Sequence, residues 1–202
     1  MGRFVGARYG AVPVTTALSV SLPVAFLCWT VSLAIVADPI HWFVMESIRP
    51  SSPGWVVAPF TTTGLFKLVL TVPVVAVFGG GLERYAGSRH TAVFVLGAAY
   101  VPLLAQITFA EQAGSARGVV GSAAIALALG TCGSLLYFWG DTDRFSIRVD
   151  TDAVIGVVLA LCLLVPLAAA AGLLPGSRYP AVGLLTGTAV GLGGFLAMRF
   201  EL

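Results

Sequence analysis

The chain has 202 residues, of which 58% are hydrophobic and 10% charged, with a formal net charge of +2. An ordinary soluble domain carries about 25% charged residues, so a mean hydropathy of +0.97 assigns this chain to a membrane. Its Lys and Arg residues are too scattered for nucleic acid, and Cys28, Cys132 and Cys162 sit in apolar runs without the CxxC spacing of a disulfide framework or zinc site.

In chain order, a short basic head with Arg3 and Arg8 precedes an apolar run over 12–37. The run exceeds the roughly 7–15-residue core of a signal peptide and has no small-x-small cleavage site at its end, so it reads as a retained first transmembrane helix, kinked at Pro23. Residues 38–59 mix His41, Trp42, Phe43 and Trp55 with Glu46, Arg49 and four prolines, the composition of an interfacial loop. Ile40, Phe43, Val44 and Ser47 fall on one helical stripe, which predicts a short amphipathic helix on the membrane surface, with Trp42 and Trp55 at headgroup depth.

The second span, 63–81, is apolar from Gly64 onward except for Lys67, the only lysine, and Thr71, four residues on and therefore on the same helical face. A charge at the centre of a bilayer helix costs about 2.5–3.5 kcal/mol on insertion scales, so Lys67 snorkels, faces a wet cavity or is paired. A turn with Glu83, Arg84 and Arg89 leads to a third span, 91–109. The fourth, 118–139, is dense in small residues and belongs in the middle of the bundle. A charged link with Asp141, Asp143, Asp150 and Asp152 follows; its Asp-x-Asp pairs lack the glycine and glutamate of a calcium loop and read as a solvated face, with no metal or cofactor implied. Spans 153–174 and 181–198 complete the chain.

Six spans of 18 to 26 residues are each long enough to cross about 30 Å of hydrocarbon, and an even number places both termini on one side. If that side is cytoplasmic, Arg3, Arg8, Arg84, Arg89, Arg144, Arg148 and Arg199 face inward, against Arg49, Arg117 and Arg178 outside, which satisfies the positive-inside rule. The expectation is a single all-α, multi-pass domain of the cell membrane, its Trp-rich loop outside.

Gly79-Gly80-Gly81-Leu82-Glu83-Arg84-Tyr85-Ala86-Gly87 resembles the end of the second transmembrane helix of rhomboid intramembrane proteases, where a Gly-Gly-x-x-Glu-x-x-x-Gly pattern leads into the next helix. The amphipathic first loop agrees. Arg117-Gly118-Val119-Val120-Gly121 resembles the family's Arg-Gly-x-Ser-Gly entry to helix four, and Gly183, Gly187 and Gly191 its glycine ladder in helix six. The resemblance implies a six-helix bundle, a serine nucleophile entering helix four, a histidine base on helix six, and a His-x-x-x-Asn pair on helix two for the oxyanion. Those four positions fall on Val120, Pro180, Lys67 and Thr71, so none of the catalytic residues is retained.

An alternative register offers Ser122 as nucleophile, but it loses the flanking glycines, and the only histidines are His41 and His90. A serine without an adjacent base is a weak nucleophile, and Ser122 reads as a packing residue. A desolvated Lys67 could serve as base in a Ser-Lys pair; snorkelling explains it more simply. The resemblance therefore implies a pseudoprotease that holds transmembrane segments of client proteins in a cavity lined by Lys67, Thr71, Val120, Ser122 and Pro180, with Gly79, Gly80, Glu83, Gly87, Gly118, Gly121, Gly183 and Gly187 as its structural motif. The alternative is an active intramembrane serine endopeptidase using Ser122, with a small transporter or channel, suggested by Pro73 and Pro102, as a third reading. Its partners would be the lipid bilayer and membrane-protein clients, not nucleic acid.

Overall fold

A backbone buried in hydrocarbon must satisfy its own N–H and C=O groups, and this chain does so with helices. The structure, a computed structural model, describes residues 12–36, 40–47, 52–114, 119–140, 152–173 and 178–201. Those residues form α1 (Pro13–Ile35), α2 (Ile40–Phe43), α3 (Gly54–Val57) with a 3-10 turn over Ala58–Phe60, α4 (Leu65–Val74), α5 (Gly80–Gln112), α6 (Ser122–Trp139), α7 (Asp152–Ala170) and α8 (Arg178–Glu201). Between α4 and α5 the chain widens into a π-helix over Val75–Gly79, just after Pro73 removes one backbone donor. Among the described residues five helical runs are long and apolar enough to cross a membrane: Pro13–Ile35, Leu65–Gln112, Ser122–Trp139, Asp152–Ala170 and Pro180–Phe200. The protein is a multi-pass, all-helical membrane protein.

The longest run, of 48 residues, is broken at Gly87, whose φ of +81° and ψ of 161° are not helical. Side-chain neighbours give the direction of each segment. Gly130 faces Val74 and Gly133 faces Phe78, so α6 runs alongside α4 in the same sense. Gly187 meets Ala124 and Gly191 meets Ala128, so α8 also runs with α6. By contrast Gly194 meets Phe94 and Gly183 meets Gln106, so the part of α5 after Gly87 runs against α8 and hence against α4. The chain reverses at Gly87. α7 runs against α6, since Tyr137 bonds Asp152 at 2.6 Å while Gly130 faces Cys162.

α6 is the hub. In its span 61% of residues are buried, against 17–44% in the other four, which matches the reading of its small residues. The main core gathers Leu22, Val75, Phe78, Ile125, Leu129 and Leu136 around it. Cys132 and Cys162 are buried there as small hydrophobes, whereas Cys28 is exposed on α1.

The first loop departs from its expected form. Of the expected stripe over 40–48, the described residues are helical only over Ile40–Phe43, and Val44 and Met45 are buried, so this piece is not one amphipathic helix lying on the membrane. Met45 instead pairs with Val119 in an antiparallel bridge, N–H to carbonyl at 3.0 and 2.9 Å. Trp55 is half-buried, donating from Nε1 to the Ser47 carbonyl at 3.0 Å and stacking on Tyr100, while Trp42 is exposed. The same docking explains why α6 starts at Ser122 rather than 118. Val119 is extended in the bridge, and the Gly121 N–H donates to the Ala58 carbonyl at 3.0 Å. α7 likewise ends before 174, because Gly172, with φ of +74°, turns the chain so that the Leu173 N–H closes on the Ala168 carbonyl at 2.9 Å.

The glycine contacts of α8 rank themselves. A Cβ on Gly191 would lie 2.6 Å from the Ala128 carbonyl oxygen and 2.8 Å from Thr131 Cβ, neither of which can rotate away. On Gly183 it would meet only the end of the Gln106 side chain, which can. Gly191→Ala is expected to lose ~1–3 kcal/mol, the usual range for overpacking, and Gly183→Ala clearly less, in equilibrium unfolding in mixed micelles.

Candidate functional site

Two clusters hold the residues singled out by the sequence, at opposite ends of the bundle. The first surrounds Glu83, which is only 4% exposed. α1 begins at Pro13 after Val12, a residue with no side-chain acceptor to cap it. Glu83 supplies the cap from another helix. Its Oε1 accepts the Val14 N–H at 3.0 Å; its Oε2 accepts the Thr15 N–H and the Thr15 hydroxyl, each at 2.8 Å. A carboxylate at a helix N-terminus also meets the positive end of the helix dipole. Gly79 allows the approach, since a Cβ there would sit 3.2 Å from Thr15 Cγ2 and Oγ1. Gly80 is buried one residue on, and Gly87 makes the reversal that no L-residue adopts readily. The Gly-Gly-x-x-Glu-x-x-x-Gly spacing thus carries packing, capping and turning.

The second cluster is the entry of α6. Ser122 is buried, and its Oγ accepts a hydrogen bond from the hydroxyl of Thr62 at 2.6 Å. Thr62 is itself buried at the end of the first loop. Gly121 fits between the Leu103 side chain and Pro59, whose Cα would lie 3.3 Å from a Cβ placed there. Val120 is half-buried between Val119 and Gly121. Gly118 and Arg117 lie outside the described residues.

The other predicted positions separate by exposure. Thr71 is buried on the bundle face of α4, with Leu68; Lys67, in the first turn, is exposed. Pro180 is exposed near the start of α8, and Gly187 sits on Ala124 of α6. Neither histidine is bonded to Ser122. His41 Nδ1 lies 3.3 Å from Glu46 Oε2, and His90 Nδ1 lies 2.9 Å from the Ala86 carbonyl oxygen, at the Glu83 end. Among the described residues the entry therefore presents a hydroxyl pair with no basic side chain bonded to either oxygen.

Thr15 and Thr62 were not legible as site residues. Each is joined to its partner across 68 and 60 positions of sequence, and no local spacing carries that information. The Thr61-Thr62-Thr63 run was the one available signal, a cluster of hydroxyls where the chain enters a membrane helix. Among the described residues no group of three His, Cys, Asp or Glu side chains is placed to hold a metal ion; Asp141, Asp143 and Asp150 lie outside them.

Glu83→Ala would strand two backbone donors and a hydroxyl beneath the end of the bundle. At about 1–3 kcal/mol per unsatisfied buried group, it should lower stability more than any other single change at this end. Glu83→Gln keeps one acceptor oxygen and should lose less, and Thr15→Val, which removes only the hydroxyl bond, least. Unfolding midpoints of the three variants in mixed micelles check the order. No protein-family model matches the chain, and no curated protein matches its sequence.

Proposed function

We propose that this chain is a six-pass, rhomboid-like pseudoprotease: a membrane protein that binds transmembrane segments of client proteins without cleaving them. The observation that carries the reading is the approach of α8 to α6 through Gly187 and Gly191, towards an entry where the serine is bonded to a threonine and not to a histidine. The reversal at Gly87 supports counting Leu65–Gln112 as two passes, which gives six in all and brings both ends of the chain to one side. α6 has α4 on one flank, through Val74 and Phe78, and α8 on the other, through Gly187 and Gly191. A client segment would lie across that entry, with Lys67 and Thr71 on one side, Pro180 on the other, and Val120 and Ser122 between. Lys67, exposed in the first turn of α4, is suited to snorkel to the interface.

Orientation follows from charge. Arg84, Arg89 and Arg199 are exposed at the Glu83 end, which would be cytoplasmic in the cell membrane, with the first loop outside. The purified protein should not react with a fluorophosphonate serine probe; labelling that disappears in Ser122→Ala would replace this reading with that of an active serine endopeptidase. A photo-crosslinker at position 67 or 180 should capture intact transmembrane segments, and capture of none would remove the client function. Single cysteines at 84 and 89 should resist an impermeant reagent in intact cells while one at 117 reacts; the opposite pattern inverts the topology.

A further inference from the structure

Away from the α6 entry, α1 and the second half of α5 do not close against each other. An open groove of about 390 Å³ runs between them. One wall is Val14, Ala17 and Leu18; the other is Ala92, Val95 and Leu96, and Phe60 from the 3-10 turn reaches between the two. Both walls follow the i, i+3, i+4 spacing of a single helix face. The gap exists because Ala17 and Ala92 carry only a methyl group where longer side chains would interdigitate. Leu96 is 54% exposed, so the groove opens along the flank of the bundle.

The lining presents no unengaged polar side chain. Ser21 is the sole hydroxyl there, and it donates to the Leu18 carbonyl at 2.9 Å. The occupant must therefore be apolar along its length. A single flexible hydrocarbon chain fits, in a volume at the low end of the roughly 300–1,000 Å³ of small-molecule cavities.

Charge selects the rest of the molecule. Arg89 is exposed and precedes Ala92 by three residues, the spacing that stacks side chains on one helix face. It stands one turn beyond the groove, at the bundle end, with His90 beside it. The Glu83 carboxylate at the same end is buried and turned onto Val14 and Thr15, away from solvent. The geometry points to a site for one anionic phospholipid, with an acyl chain in the groove and its headgroup phosphate at Arg89. The assignment needs a membrane-embedded chain only and does not depend on the rhomboid-like reading.

The test is native mass spectrometry of the full chain released from vesicles of equal phosphatidylcholine and phosphatidylglycerol, with helical content checked by circular dichroism. The wild type should retain one phospholipid, preferentially phosphatidylglycerol. Ala92→Phe and Ala17→Phe each fill the groove from one wall and should abolish retention, whereas Val93→Phe, on an exposed neighbour outside the groove, should not. Arg89→Gln should keep a bound lipid but lower the preference for phosphatidylglycerol about fivefold, the equivalent of ~1 kcal/mol for one basic residue near an anionic surface. Retention by either folded Phe variant of the groove, loss in Val93→Phe, or an unchanged preference in Arg89→Gln would overturn the assignment. The two walls are filled independently, so one misfolded variant leaves the other to decide.

Discussion

One carboxylate fixes the arrangement of the bundle. Hydrocarbon offers no solvent to a helix end, and Val12, at the N-cap of α1, has no side-chain acceptor for the helix's first N–H groups. Glu83 accepts two of them and the Thr15 hydroxyl. The bond works in both directions, because a buried carboxylate needs donors as much as the helix end needs an acceptor. It therefore locks the start of α1 to the reversal between the two halves of the longest helix. Gly79 and Gly87 are tied to the same interaction, one by letting Thr15 approach and the other by turning the chain immediately after the cap.

With that end pinned, the remaining contacts depend on how closely backbones can approach. Lipid removes the hydrophobic drive between helices, so association rests on dispersion contacts and a few hydrogen bonds. Each glycine of α6 and α8 that faces a neighbour adds such contacts by omitting a side chain. Gly133 receives the Phe78 ring, Gly130 the Cys162 sulfur, and Gly191 the backbone of Ala128. Thr188 adds a directed bond, donating to the Cys162 carbonyl at 3.0 Å, which ties α8 to α7. Packing of this kind constrains the scaffold without specifying any chemistry at the α6 entry.

The sequence exposed what depends on composition and local spacing. Apolar runs marked the membrane helices; small residues marked α6 as the enclosed one; the Gly-Gly-x-x-Glu-x-x-x-Gly pattern marked the turn. It could not expose pairings across the chain. Ile40, Phe43, Val44 and Ser47 form a good helical stripe, yet Val44 and Met45 are drawn inward because Val119, distant in sequence, offers Met45 a backbone partner. Lys67 and Thr71 illustrate a different limit. Four residues overshoot one helical turn by about 40°, enough for Thr71 to sit within the buried stripe of Leu68 and Val75 while Lys67 lies at its edge. Same-face spacing gives proximity along a helix, and only the neighbouring helices decide which member of a pair they cover.

The first loop decides how the α6 entry can be used. It is fastened there three times, by the Met45–Val119 bridge, by the Gly121 N–H on the Ala58 carbonyl, and by the Thr62 hydroxyl on Ser122. Ser122 is 4% exposed beneath these contacts, so any reaction at its oxygen would require breaking the Thr62 bond and lifting the loop. Binding alone needs none of this. The flanks of the entry carry exposed residues, Lys67 on α4 and Pro180 on α8, and a client helix resting there would leave all three fastenings intact. On the proposed reading, the loop that covers Ser122 would also hold the flanks against which a client segment rests.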